Sequence, residues 1–343
     1  MKQLLNTLYV TSQGAYLAKE RETVLVRQEG ETRIQVPVHT LGGIVCFGGV
    51  GCSPALLGMC AERGVAVSFL TERGRFLARV TGPVSGNVLL RREQYRRADD
   101  PESAAEIARS VVAGKIANSR NVLLRATRDH PQAEGAEQVN VAADRLADVQ
   151  RRLADPLPLD TVRGLEGEAG QAYFRVFDHL IVAQKDGFRF ERRSRRPPLD
   201  AVNGLLSFLY TLLRHDVAAA LEGVGLDPAV GFLHRDRPGR PGLALDLMEE
   251  LRPAIADRLA LSLINRQQVK SSGFLTSESG AVSMDDDTRK EVLVAYQKRK
   301  QEEIQHPFLE EQVAVGLIPH VQALLLARHL RGDLDGYPPM IWR

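Results

Sequence analysis

The chain has 343 residues, 44% of them hydrophobic, with a formal net charge of +2. That is enough for a sizeable core and for two domains, while the near-neutral charge says little about partners. Cys46, Cys52 and Cys60 are odd in number and form no CxxC, which argues against a disulfide framework or a Cys-rich zinc site. The opening Met1-Lys2-Gln3-Leu4-Leu5 lacks the apolar core of a signal peptide, and no apolar run is long enough to span a bilayer. A cytoplasmic protein with no membrane association is expected.

In chain order, the first elements read as strands. Leu4 to Val10 and Ala15 to Leu17 flank a Thr-Ser-Gln-Gly turn, and Val24-Leu25-Val26 follows. Ile34, Val36 and Val38 alternate with other residues, which puts them on one face of a strand. A short helix is predicted after Ser53 as N-cap, with Pro54 in its first turn and Gly64 at its stop. Val65 to Leu70 and Phe76 to Val80 read as a hairpin across Thr71 to Gly74. After Asn87 the pattern is helical. Helices are expected over Ala104 to Arg128, Val139 to Leu153, Thr161 to about Ala183, Ala201 to Leu221 and Leu247 to Leu263, the last with a kink at Pro253. Two more follow, one opened by Asp285-Asp286-Asp287 and closed by Lys298-Arg299-Lys300, one over Leu309 to Leu330. Strands first and helices afterwards predict an α+β multidomain chain: a β-rich domain over 1–86 and a larger all-α domain over 87–343.

Three segments of the helical part offer metal-binding side chains. Glu166 lies between Gly164 and Gly167 near an expected helix start. A structural role for it there is to complement the helix N-terminus. His234 lies in the Gly/Pro-rich loop Gly231 to Gly242, followed by Arg235 and Arg237, where a plain surface histidine is the commoner case. Asp246 and Glu249 stand three apart, on one face of a helix start. Asp246 is set among apolar residues, where a carboxylate needs a partner. Carboxylates with one imidazole suit an oxygen-preferring divalent cation of the kind that activates phosphodiesters. The triple aspartate at 285–287 is better explained as a helix start than as a metal site. Gly42 to Gly51 lacks the spacing of a nucleotide-binding loop. Arginines cluster at Arg91, Arg92, Arg96 and Arg97, and at Arg189, Arg192, Arg193, Arg195 and Arg196. Arginine suits phosphate because its fork donates twice to one anion, although such runs are often only a solvated face.

Read together, the segments have a likeness. Gly164-Leu165-Glu166-Gly167 with Tyr173-Phe174, then Asn203 to Tyr210, Gly231 to His234 and Asp246 to Pro253 follow in an order that resembles the CRISPR-associated endonuclease and integrase family, the universal first protein of spacer adaptation. Met1 to Val10 and Gly82 to Asn87 are similar to its type I-C branch. The resemblance implies a metal site of Glu166, His234 and Glu249, with Asp246 as ligand or supporting carboxylate, holding Mg2+ or Mn2+. It implies double-stranded DNA as substrate, joined through its 3′-hydroxyl ends to the CRISPR repeat by transesterification. DNA contacts would come from Arg189, Arg192, Arg193, Arg195, Arg196, Arg235 and Arg237. Tyr173 and Asn203 would either contact DNA or support the site, and His306 also fits the family's later part. A homodimer through the β domains is implied, with a small second adaptation protein bridging two dimers. The alternatives are a DNA-binding scaffold without catalysis and a metal-dependent nuclease acting on other nucleic acids.

Overall fold

A computed structural model describes residues 6–72, 74–80, 82 and 88–342. Most of the Gly82–Asn87 stretch and residues 1–5 of the opening lie outside them. The chain divides into two compact units, Met1–Gly86 and Asn87–Arg343.

The first unit holds two four-stranded sheets. One contains β1 (Asn6–Val10), β5 (Leu41–Phe47), β7 (Ala66–Leu70) and β8 (Phe76–Val80), in that order. The other runs β4 (Glu31–Pro37), β3 (Thr23–Gln28), β2 (Tyr16–Glu20), β6 (Gly51–Cys52). β1, β5 and β7 are parallel neighbours, so the chain must cross over between them. Helix α1 (Pro54–Glu62) makes the crossover from β5 to β7, capped by Ser53 Oγ accepting from the Leu56 N–H at 3.2 Å. β7 and β8 form the expected hairpin. Leu17, Val24, Val26, Val38, Ile44, Leu56 and Met59 are shared by one core. The alternation at 34, 36 and 38 does not hold as a buried face. Ile34 is 47% exposed, because β4 is an edge strand whose outer half nothing covers, and Val38 is buried from a 3-10 turn beyond the strand.

The second unit is built around α3 (Pro101–Asp129), which follows α2 (Val88–Asp99) and packs against α4 (Ala136–Arg152), α5 (Leu159–Arg175) and α7 (Gly242–Leu251). Asp100 caps α3 by accepting from Ser103 N–H at 3.0 Å, and Pro101 occupies its first turn. α6 (Ala201–Val224) starts at an Asp200 cap and ends at Gly225, whose φ of +96° is the left-handed stop. The expected kink near Pro253 is a π-helical stretch, Arg252–Asp257, between α7 and α8 (Arg258–Asn265). Proline has no N–H to return to Glu249, so the turn widens and the Arg258 N–H reaches Pro253 O instead.

Two helix boundaries differ from expectation. α5 stops at Arg175, not near Ala183, because Asn265 takes over the backbone that would extend it. Its Oδ1 accepts from Val182 N–H at 2.9 Å and its Nδ2 donates to Leu180 O at 2.9 Å. The last helix, α10 (Ile318–Leu330), begins nine residues late, since Gln312–Ala314 pairs as a strand with Glu303–Gln305. That ribbon (β11, β12) and a second one, β9 (Phe274–Thr276) with β10 (Val282–Met284), make the larger unit mostly helical, not all-α. α9 (Asp286–Gln301) opens as predicted, Asp285 Oδ1 accepting from Thr288 N–H at 2.8 Å.

Candidate metal centre

The site is organised by Asp246, which is 1% exposed on α7. Its Oδ2 accepts from the N–H groups of Phe232 and Leu233 at 2.6 and 2.9 Å. Its Oδ1 accepts from His234 N–H at 3.0 Å and faces His234 Nδ1 at 2.6 Å. The loop before α7 is thus wrapped around one carboxylate. Gly231 makes that wrapping possible: a Cβ there would sit 2.6 Å from Asp246 Oδ2 and 2.7 Å from the Gly242 carbonyl carbon. A carboxylate can only accept, so Nδ1 is the donating nitrogen of His234, and in a neutral ring Nε2 is then the one with the lone pair. Nε2 faces Glu249 Oε1 at 3.9 Å. Both oxygens of Asp246 are thus engaged in holding the loop and the imidazole.

Glu249, one turn along α7 and 2% exposed, receives Arg252 Nη1 on Oε1 at 2.6 Å. Its Oε2 is buried against Lys115 Nζ, an ion pair at 2.7 Å. The same ammonium hydrogen-bonds Glu166 Oε1 from α5. Burial alone would raise the Glu249 carboxyl; the neighbouring Arg252 and Lys115 charges outweigh it and hold the group at about 2. Burial alone would lower the Lys115 ammonium, and Glu249 and Glu166 together raise it. Among the described residues, no three or more His, Cys, Asp or Glu side chains are already arranged as a metal-holding group. Lys115 stands in as the cation. The two carboxylates, Glu166 and Glu249, and the imidazole of His234 nevertheless make a donor set that fits a hard divalent ion.

Glu166 does not sit at a helix start. It lies in the middle of α5, so the helix N-terminus does not account for it. Gly164 and Gly167 are exposed, and a Cβ at either would meet nothing within 4 Å, so they leave an open surface beside Glu166 and make no tight packing. Tyr173 is 3% exposed and Asn203 is fully buried, so their polar groups face the interior. Tyr173 and Tyr210 donate to the two oxygens of Asp257, at 3.1 and 2.6 Å. Burial pushes that carboxyl up to about 6 against those hydrogen bonds. The guanidiniums of Arg252 and Arg193 lie over the Tyr210 ring at 5.0 and 5.2 Å. Arg193 is half-buried and tied to Asn203 Oδ1 at 2.6 Å and Ser207 Oγ at 3.1 Å, so it anchors its loop from within. Arg189, Arg192, Arg195 and Arg196 are exposed on that loop.

Glu166, His234 and Glu249 open into a pocket of about 620 Å³, lined also by Asp160, Leu233 and the arginines Arg163, Arg195, Arg235, Arg237, Arg240 and Arg252. Arg189, Arg192 and Arg196 do not line it. In the other basic cluster, Arg96 and Arg97 pair with Glu93, and Arg91 donates to Gly225 O at 3.1 Å. Glu250 points away from the pocket. Its Oε1 accepts from Tyr337 and Gln322 at 2.5 and 3.1 Å, and its Oε2 from Met340 N–H at 2.9 Å. His306, buried, joins this second network through Gln322 Oε1 at 2.9 Å from its Nε2. Sequence reasoning missed Lys115, Arg163 and Arg240 and gave Arg252 no role. For Lys115 a signal existed: a lone lysine on the stripe of α3 otherwise occupied by Ala108, Val112, Ser119 and Val122, all buried.

Residues 8–298 match the family model described as CRISPR associated protein Cas1. The chain is 59% identical over 343 residues, covering 100% of both chains, to the CRISPR-associated endonuclease Cas1 1 of Chlorobaculum tepidum. A casposase bound to its integration product is similar in structure, with a TM-score of 0.85 at 21% identity, over 99% of this chain and 95% of that one. A chain of a Cas6-RT-Cas1–Cas2 complex gives 0.83 at 21% identity, over all of this chain and 36% of that one. At such identities the likeness is one of fold. The family model and the full-length identity go further: the chain belongs to the Cas1 family of CRISPR-associated proteins.

Proposed function

We propose that this chain is a metal-dependent DNA integrase and endonuclease of CRISPR adaptation. The observation that carries the reading is the meeting of Glu166, His234 and Glu249 at the mouth of one arginine-lined pocket. Those three side chains would hold Mg2+ or Mn2+. When bound, such an ion lowers the pKa of a coordinated hydroxyl and stabilises charge developing on phosphate oxygens. Asp246 keeps the His234 proton on Nδ1, leaving Nε2 free to ligate. Arg252 fixes the rotamer of Glu249. Arg195, Arg235, Arg237 and Arg240 neutralise the phosphates that flank the reacting one.

Attack of a 3′-hydroxyl on a repeat phosphodiester forms one P–O bond as another breaks. The number of diesters is unchanged, so no nucleotide cofactor and no covalent protein nucleophile is required. With water in place of the hydroxyl, the same site cuts. The named relative is an endonuclease, and the structural neighbours include a casposase with its integration product and a complex containing Cas2. These support duplex DNA as substrate and a small Cas2-type partner bridging two homodimers made through the β unit. The type I-C branch rests on the sequence at Met1 to Val10 and Gly82 to Asn87.

The test uses purified protein, with and without the partner, Mn2+, a duplex with free 3′-ends and a supercoiled plasmid bearing the repeat array. Covalent joining is expected. Glu166→Ala should abolish joining and leave DNA affinity within about threefold, since it removes a ligand and no phosphate contact. A Glu166→Ala protein that joins DNA normally overturns the metal assignment.

A further inference from the structure

One buried charge has no task in the chemistry just described. Lys115 stands on the core-facing stripe of α3, and its side chain is only 12% exposed. A lone buried ammonium is costly, and this one is balanced by carboxylates from two other helices, Glu166 of α5 and Glu249 of α7. The point where both carboxylates converge is where a divalent ion shared by them would have to sit. Coordination brings oxygens to about 2.0–2.6 Å of such an ion. An ammonium already 2.7 Å from Glu249 Oε2 and hydrogen-bonded to Glu166 holds that same ground.

We propose that Lys115 is a built-in competitor for the divalent cation, holding Glu166 and Glu249 together until the ion displaces it. The inference rests on Glu166, His234 and Glu249 being the ligands. Two functions follow from the one contact. Without metal, the ammonium suppresses repulsion between the carboxylates and keeps α5 and α7 in register for coordination. With metal, the released ammonium is left beside a dication and among arginines, and it needs a new counter-ion. A DNA phosphate in the pocket supplies one. Metal and DNA therefore bind cooperatively: each raises the affinity of the other, and by linkage the factor is the same in both directions.

The experiment is calorimetric titration of the full chain with Mn2+, alone and with a saturating 3′-ended duplex, for wild type and Lys115→Met. Without DNA, Lys115→Met should bind Mn2+ about tenfold more tightly or better than wild type. Duplex should tighten Mn2+ binding to wild type by a comparable factor and leave the variant nearly unchanged. Equal Mn2+ affinities for the two proteins without DNA overturn the proposal. If wild type binds no Mn2+ with or without duplex, the assignment of ligands fails, and the inference with it. Lys115→Met exposes two acids to each other, so its folding is followed by circular dichroism. Folding that requires Mn2+ supports the proposal. Should the variant not fold in either condition, wild type decides: reductive methylation of Lys115, read by peptide mass spectrometry, should rise severalfold on adding saturating Mn2+ without duplex. Labelling that does not change overturns it.

Discussion

Asparagine at position 246 keeps the shape of the aspartate and removes its charge. Asp246 gathers four donors: the N–H groups of Phe232, Leu233 and His234, and His234 Nδ1. Asparagine offers one accepting oxygen and one donating amide. If the oxygen keeps Phe232 and Leu233, the amide meets the His234 N–H and Nδ1. The ring can accept that amide only by moving its proton to Nε2, the nitrogen that faces Glu249. Two bonds to a charged acceptor are lost at about 1.5–3 kcal/mol each, or about 3–6 kcal/mol in all. For a unit of this size that lowers Tm by roughly 10 °C. The misplaced proton blocks the ligating nitrogen, and Mn2+ affinity should fall about 10–100-fold. Differential scanning fluorimetry and Mn2+ titration of Asp246→Asn read the two effects separately. A variant that binds Mn2+ as wild type does refutes the argument that Asp246 sets the His234 tautomer, whatever its Tm.

Two further outcomes are expected. Replacing both Arg195 and Arg237 with alanine should weaken duplex binding regardless of sequence and flatten the slope of log affinity against log salt by about 2, as measured by fluorescence anisotropy across a salt series. An unchanged slope would place the DNA elsewhere. The buried Asp257 carboxyl is raised from 3.8 to about 6, so the folded state favours its protonated form. Its stabilisation is full below about pH 4 and is lost as pH rises through about 6, an effect of about 3 kcal/mol. Asp257→Asn lacks that loss, so the Tm of wild type relative to the variant should decline from pH 4 to 7; a gap independent of pH contradicts the burial argument.

Much of the site was legible because its chemistry is local. Asp246 and Glu249 are three apart on one helix, and a carboxylate within an apolar run announces a buried partner. Glu166, His234 and the Asp246 helix could be joined only by a family likeness, since nothing in the spacing of 166, 234 and 249 brings them together. For Lys115 the sequence offers only a lone lysine on the buried stripe of α3; its partners are two glutamates 51 and 134 positions away. Tyr173 and Asn203 carry polar groups that suit DNA, and only their burial shows that those groups are spent on Asp257 and on the Arg192–Ser194 backbone. In the fold, the order of strands and then helices matches the β sheets followed by a mostly helical region. Helix ends were missed where a distant side chain decides them, as Asn265 does for α5.

Glu249 and Glu250 are consecutive and face opposite ways, one toward Lys115 and Arg252, the other toward Tyr337, Gln322 and Met340. Asn118 of α3 donates to Glu250 O and to Met340 O at 2.7 Å each, and accepts from Trp342 N–H at 2.7 Å, fastening the same three segments. This back-to-back arrangement sets a timetable. A ribosome makes Glu166, His234 and Glu249 long before Tyr337 and Met340. Until Tyr337 and Met340 emerge, the rear of α7 lacks the donors that satisfy the buried Glu250, and the helix is not clamped in the rotation that aims Glu249. A nascent chain that has passed Glu249 but not yet reached Met340 thus holds Glu166, His234 and Glu249 without the contacts that clamp α7 from behind.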